Sequence, residues 1–234
     1  RFQDMKTTIL VALIGMAGAA NAAVLHDNGA VYNIAGSPNL SVVGGNEGTL
    51  GFGAQISANN SVADDFSVSG GGWNVTGLTF YMYQTGASAF SFTGVDYQIA
   101  SSHSDPVSWT SASSLVDGGL VAYRVTTTTL GATNRPIYAI TVPVSQSLAD
   151  GDYVLRWRAS GSLASGPWQP PVVPSGEVGN AQQSINGAAF SSLVMGVSNG
   201  PVELPFQIQG SVVPSPGSLA VLGLGGLIAG RRRR

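Results

Sequence analysis

Cysteine is absent from all 234 residues, which excludes a disulfide framework, a thiolate metal site and a cysteine nucleophile. Charge is nearly as scarce: Asp, Glu, Lys and Arg together make up 9% of the chain, a poor composition for solvated helices. Only ten residues are basic, and just four of them, Arg124, Arg135, Arg156 and Arg158, lie between Ala23 and Val213. They stand against eleven acids, which leaves that body at about −7. Such a surface disfavours nucleic-acid binding, which depends on cations that neutralise phosphates. What the chain has instead is 32 glycines, abundant Ser and Thr, and 44% apolar residues. That mixture suits short strands joined by turns and still supplies a core. The length fits one β-rich domain with processing segments, and two full domains would be cramped.

Both ends depart from the body. Met5 and Lys6 lead into "TTILVALIGMAGAANA", a basic start and an apolar stretch closed by Ala20, Asn21 and Ala22. This is the order of a secretory signal peptide, with cleavage expected after Ala22 or Ala23. A buried core helix is the rival reading, and the stretch has no polar face to support it. Arg1 to Asp4 precede the natural-looking start and carry no expected structural role. At the other end, Gly217 to Gly230 is uncharged and apolar. As a helix it would span about 21 Å, short of the roughly 30 Å hydrocarbon core. Arg231, Arg232, Arg233 and Arg234 would stay on the cytoplasmic side by the positive-inside bias, which makes this a stop-transfer tail rather than a nucleic-acid patch. The expected organisation is therefore a signal helix and upstream residues over 1–22, a body over 23–211, and a tail with a short apolar helix over 212–234.

Pro214, Ser215, Pro216 and Gly217, then "SLAVLGLGGLIAG", then the four arginines, resemble the PEP-CTERM sorting signal that exosortases recognise in Gram-negative bacteria. Ser215 stands where the usual motif has glutamate. The likeness covers about the last twenty residues. It implies an exported protein held transiently at the inner membrane by its tail, processed by signal peptidase and an exosortase, and delivered to the cell surface or beyond.

Between the ends the dominant period is two. "WNVTGLTFYMYQ" puts Leu78, Phe80 and Met82 on one face and Trp73, Val75, Tyr81 and Tyr83 on the other, the pattern of a central strand covered on both sides. "GVDYQIA" and "LVAYRVT" alternate as half-exposed strands, the second with Arg124 opposite Val121, Tyr123 and Val125. "DYVLRWRAS" places Tyr153, Leu155 and Trp157 inward with Arg156 and Arg158 outward, and "PIYAITVPV" and "LPFQIQGSV" add two more strands. Ser160 to Gln183 breaks the alternation with Gly, Ser and Pro clusters and reads as a long surface loop. The expected class is all-β, an antiparallel β-sandwich of jelly-roll type, with a closed barrel as the alternative. The segments "ADDFSVSGGGWNVTGLTFYMYQTG", "NRPIYAITV", "GDYVLRWRASG", "GPWQPPV" and "LPFQIQG" also resemble, in that order, a group of secreted PEP-CTERM proteins of unassigned activity. That resemblance implies an exported β-sandwich and brings no reaction with it.

Candidate chemistry is sparse. Gly196 to Gly200 fits G-x-S-x-G, but a nucleophile elbow needs a following helix and a later histidine, and His26 and His103 both come earlier. The same two histidines lack metalloprotease spacing. Asp64 with Asp65, and Asp150 with Asp152, offer the hard oxygen ligands that Ca²⁺ prefers, the one cofactor the sequence leaves open. Against that, Asp150 and Asp152 flank a turn glycine, and neighbours within a strand point to opposite faces. A glycosidase needs two acids across a cleft, and Asp96, Asp117, Glu177 and Glu203 cannot be paired from sequence. A glycan-binding surface needs less: Trp168, with Gln169, Asn180, Gln182 and Gln183, could supply a platform, unless Trp168 simply packs its loop onto the sandwich. The leading expectation is a non-enzymatic surface or matrix protein that interacts with extracellular polysaccharide and not with nucleic acid. A secreted carbohydrate-active enzyme and a Ca²⁺-stabilised scaffold are the alternatives.

Overall fold

The computed structural model describes residues 22–44, 47–173 and 179–213. The expected signal helix with Ala20, the sorting tail from Pro214 to Arg234, and Glu177 lie outside the described residues. The alternating segments become strands in chain order: β1 (Ala23–Asp27), β2 (Leu40–Val43), β3 (Phe52–Gly53), β4 (Ser61–Val68), β5 (Trp73–Tyr83), β6 (Phe92–Ala100) and β7 (Thr110–Ala112). They continue as β8 (Val116–Thr126), β9 (Pro136–Leu148), β10 (Gly151–Gly161), β11 (Trp168–Gln169), β12 (Gln182–Ser184), β13 (Ser191–Ser192) and β14 (Phe206–Val212). The helical content of the described residues is a 3₁₀ turn at Ile56–Ala58, and no helix among them is long and apolar enough to cross a membrane.

One sheet runs β1-β14-β5-β9-β8-β2, with β11 and β3 attached beside the end of β5, and the other runs β13-β12-β4-β10-β6-β7. The long central pairs are antiparallel and the β2–β8 edge pair is parallel. The sheets pack on a shared core: Leu78, Phe80, Met82, Ile140, Val142, Phe206 and Ile208 from the first meet Phe66, Val95, Leu155 and Trp157 from the second. The Trp157 ring lies 5.3 Å from Phe80 and 5.7 Å from Phe206, centroid to centroid. Each such aromatic removes 150–250 Å² from water, and a fully buried large apolar side chain contributes about 1.5–3 kcal/mol. The all-β class and the packing of sheet on sheet thus match the alternation in the sequence.

β5 is covered on both faces, as its unbroken apolar run requires. Its second face carries Tyr81 and Tyr83, which join Ile137, Ala139, Ala122 and Val31 in a smaller cluster outside the first sheet. Segments following β1 and preceding β3 lie over this face, and coverage of this kind changes the reading of two arginines, Arg124 here and Arg156 under the loop that follows β6 on the other sheet. Arg124 and Arg156, expected on half-exposed strands, are both fully buried. Arg156 donates to the carbonyls of Ser102, His103 and Asp105 and to Gln98, with its guanidinium 5.1 Å from the Phe190 ring centre. Acceptors over both terminal nitrogens let the guanidinium be buried even though its Nε has no partner among the described residues, and alternation alone cannot foresee that roof. The stretch from Ser160 to Gln183 is likewise more than a surface loop, since Pro167 and Gln169 through Val173 are buried and β11 pairs with β3.

Candidate functional site

Carboxylates are gathered at one place among the described residues. Asp64, in the middle of β4, is fully buried. Its Oδ2 accepts the Leu204 N–H at 2.7 Å and an Asn28 amide hydrogen at 3.0 Å, and its Oδ1 accepts the Asp65 N–H at 3.0 Å. Asn28 Nδ2 also donates to Glu203 Oε1 at 3.3 Å and to the Leu204 carbonyl at 3.0 Å, so the exit of β1, the centre of β4 and the approach to β14 are tied together. One carboxylate oxygen from each of Asp64, Asp65 and Glu203 lies within 4.8 Å of the others. Burial, reinforced by the Glu203 charge, pushes the Asp64 carboxyl up to about 8, because the charged form loses its hydration and meets a like charge. A neutral Asp64 beside Glu203 makes this a hydrogen-bonded clasp. Sequence reasoning found Asp64 and Asp65, named Glu203 only as an acid without an assignable partner, and missed Asn28; their approach depends on long-range pairing and has no local signature.

The other predicted acids are separate from this clasp. Asp150 accepts the N–H groups of Gly71 at 3.0 and 3.1 Å and of Gly72 at 2.8 Å, so it caps the β4–β5 turn rather than its own backbone. Asp152 accepts the Ser67 hydroxyl at 2.7 Å. Asp96 forms an ion pair with Arg158 at 2.9 Å, and Asp117 accepts the Gly119 N–H. These are turn and sheet contacts, and they do not set two acids across a cleft. The G-x-S-x-G stretch is a tight turn: Met195 N–H meets the Gly200 carbonyl, Asn199 has a φ of 52°, and Glu47 accepts the N–H groups of Val197 and Ser198. No helix follows, as its proline-rich sequel implied.

Trp168 stands at an open groove of about 380 Å³ lined also by Thr49, Leu50, Tyr83, Thr85, Arg135 and Ser165. Short as it is, β11 pairs Trp168 with Gly53 on one side and Tyr83 on the other, which seats the indole at the end of the first sheet. The ring is half-buried, and its Nε1–H donates to Ser165 Oγ at 3.3 Å. Gly166 has a φ of +102°, and a Cβ there would sit 2.7 Å from Trp168 Cδ1, so only glycine lets the ring lie across its own loop. The opposite wall, Thr49 to Gly51, is held from beneath by Arg124, which donates to the Leu50 carbonyl at 2.8 Å, the Thr49 carbonyl at 3.4 Å and Ser41 Oγ at 3.0 Å. Burial pushes the Arg124 guanidinium down to about 10 and the Tyr83 phenol up to about 12.

The residues expected beside Trp168 are not the ones that join it. Gln169 is fully buried, accepting Trp157 Nε1–H at 2.9 Å and donating to the Pro170 carbonyl, so it belongs to the interior. Adjacent residues of a strand face opposite ways, which puts Gln169 inside once Trp168 faces out. Gln182 and Gln183 lie on β12 in the other sheet, where Gln183 donates to the Gly53 carbonyl at 2.8 Å, and Asn180 is exposed ahead of that strand. Tyr83, Arg135, Thr49 and Thr85 take their place. The end of "TFYMYQ" was legible as a strand, but only the β11 pairing shows that Tyr83 meets Trp168.

No family model, curated protein or solved structure matches the chain.

Proposed function

We propose that the chain is an exported surface or matrix protein, a β-sandwich of jelly-roll order that binds polysaccharide through the Trp168 groove without turning it over. The observation that carries this reading is the half-buried indole forming one wall of an open groove whose other walls present Thr49, Thr85 and Ser165. Bound sugars need an aromatic surface for their apolar faces and a few placed polar groups for orientation, and an open groove admits a polymer along its length. The strand orders β1-β14-β5-β9 and β4-β10-β6-β7 support the jelly-roll reading, since the chain crosses between the sheets at β4–β5, β5–β6 and β9–β10 and the last long strand, β14, lies beside β1. Export rests on the signal-like N-terminus and the PEP-CTERM resemblance of the tail. The non-catalytic part of the reading is supported by the contacts of Asp96, Asp117, Asp150 and Asp152, which serve turns, the sheet and an ion pair.

The test is a glycan-binding screen of the purified full chain and of Trp168→Ala, with thermal melting as the control for folding. Binding that Trp168→Ala abolishes, with no reducing ends released, is the expected result. Reducing ends that appear and then vanish on mutation of a single acid would overturn the non-enzymatic reading.

A further inference from the structure

We propose that the Trp168 groove selects an acidic polysaccharide, with the Arg135 guanidinium as the contact for a sugar carboxylate. The inference rests on the groove being the polysaccharide site, and it adds the chemical class of the polymer. Four arginines serve a body of about −7, and two are engaged elsewhere: Arg158 with Asp96, and Arg156 with the carbonyls of the loop that follows β6. The remaining two border the groove: Arg135 lines it and Arg124 holds its Thr49–Gly51 wall from behind. Arg135 lines the groove and pairs with no carboxylate among the described residues. Arg124, fully buried behind the Thr49–Gly51 wall, meets carbonyls and a hydroxyl and likewise no carboxylate among the described residues.

Buried cations are ordinarily matched by an anion, because an uncompensated charge away from water is costly. Here the excess positive charge lies beside an open groove whose lining, among the described residues, contains no acid. An anion entering the groove meets Arg135 directly, with Arg124 adding positive charge from behind the Thr49–Gly51 wall. Guanidinium forks match carboxylate geometry, and such charge-assisted bonds are about twice as strong as neutral ones. Acids more than about 8 Å away are screened at physiological ionic strength, so the local sign of charge decides. A single accessible cation is too little to track a phosphate backbone. The indole with its ring of hydroxyls, which favours sugar rings, also argues against an acidic peptide.

The experiment measures affinity of the full chain, by calorimetry, for oligomers of galacturonate, glucuronate and mannuronate and for the same oligomers with their carboxylates methyl-esterified. Expected is at least one acidic oligomer bound about tenfold or more tighter than its ester, with Arg135→Gln reducing the acid to the level of the ester and Arg135→Lys restoring part of the difference. If Arg135→Gln melts early, the acid-against-ester comparison on the unmodified chain decides alone. Equal binding of acid and ester, lost in Trp168→Ala, overturns the charge selection and leaves the groove reading intact. No binding of either form, or of neutral glycans, overturns both. Competition by polyglutamate as effective as that by the uronate would overturn the assignment to sugar.

Discussion

Replacing Asp64 by Asn removes a buried ionisable group while keeping its shape and one oxygen to accept from Leu204 and Asn28, at the loss of the acceptor for the Asp65 N–H. In the folded protein the carboxyl is held at about 8 against an ordinary 3.8, so the native state binds the proton more tightly than the unfolded chain does. The stability this contributes is fully present below about pH 4 and is lost as pH rises through about 8, at about 1.4 kcal/mol per pH unit. Four units would give a loss near 6 kcal/mol. Relaxation and sharing of the proton with Glu203 reduce the expected loss to about 3 kcal/mol. For a domain of this size that corresponds to about 6–12 °C in melting temperature. Melting curves of the full chain and Asp64→Asn from pH 4 to pH 8.5 should therefore differ at the acidic end only by the lost Asp65 bond, about 1 kcal/mol against the variant. They should cross and separate toward pH 8 with the variant the more stable. The difference between the two curves isolates Asp64 from groups of opposite sign, such as Asp105, held at about 2 by the Ser101 and Ser102 hydroxyls. A constant gap across the range would refute the reasoning. A variant less stable at pH 8, together with a chelator-sensitive melting point in the unmodified chain, would show Asp64 acting as an ionised metal ligand.

Three further outcomes follow from the packing. Trp157→Ala empties the centre of the sandwich and leaves Gln169 without its indole partner; it should cost about 3–5 kcal/mol in urea unfolding, and a loss below 1 kcal/mol would show the core is misassigned. Gly72 has a φ of +99°, and a Cβ there would stand 2.5 Å from the Leu148 carbonyl; Gly72→Ala should destabilise by about 1–3 kcal/mol, and an unchanged midpoint would contradict the turn geometry. Arg156→Met should release the backbone after β6, raising hydrogen exchange there by about tenfold or more, whereas uniform exchange across the sandwich would mean the arginine does not clip that loop.

Much of the sheet structure was legible because alternation reports which face a residue takes. Leu78, Phe80 and Met82, and Leu155 with Trp157, point where their spacing puts them. What alternation cannot report is what lies over the far face. Arg124 and Arg156 occupy polar positions in their strands, yet both are buried because connecting segments fold over them and bring carbonyls to their donors. The same limit governs the candidate site. Trp168 stood out as an aromatic in a proline-rich stretch, but its neighbours in sequence face the interior or sit on the other sheet. The residues that join it, Thr49, Tyr83, Thr85 and Arg135, arrive from three other parts of the chain. The Asp64 clasp has the same character, since Asn28 and Glu203 reach it only through the β1–β14–β5 order.

The central claim, that the chain binds polysaccharide through the groove at the end of β5 and β11, is tested most directly by mapping amide shifts of the isotope-labelled full chain during titration with a glycan it binds. The account predicts that the largest perturbations fall on Gly48 to Gly51, Tyr83, Thr85, Arg135 and Ser165 to Trp168, including the Trp168 indole N–H. Perturbations centred instead on Asn180, Gln182 and Gln183, with the Trp168 indole unmoved, would contradict it.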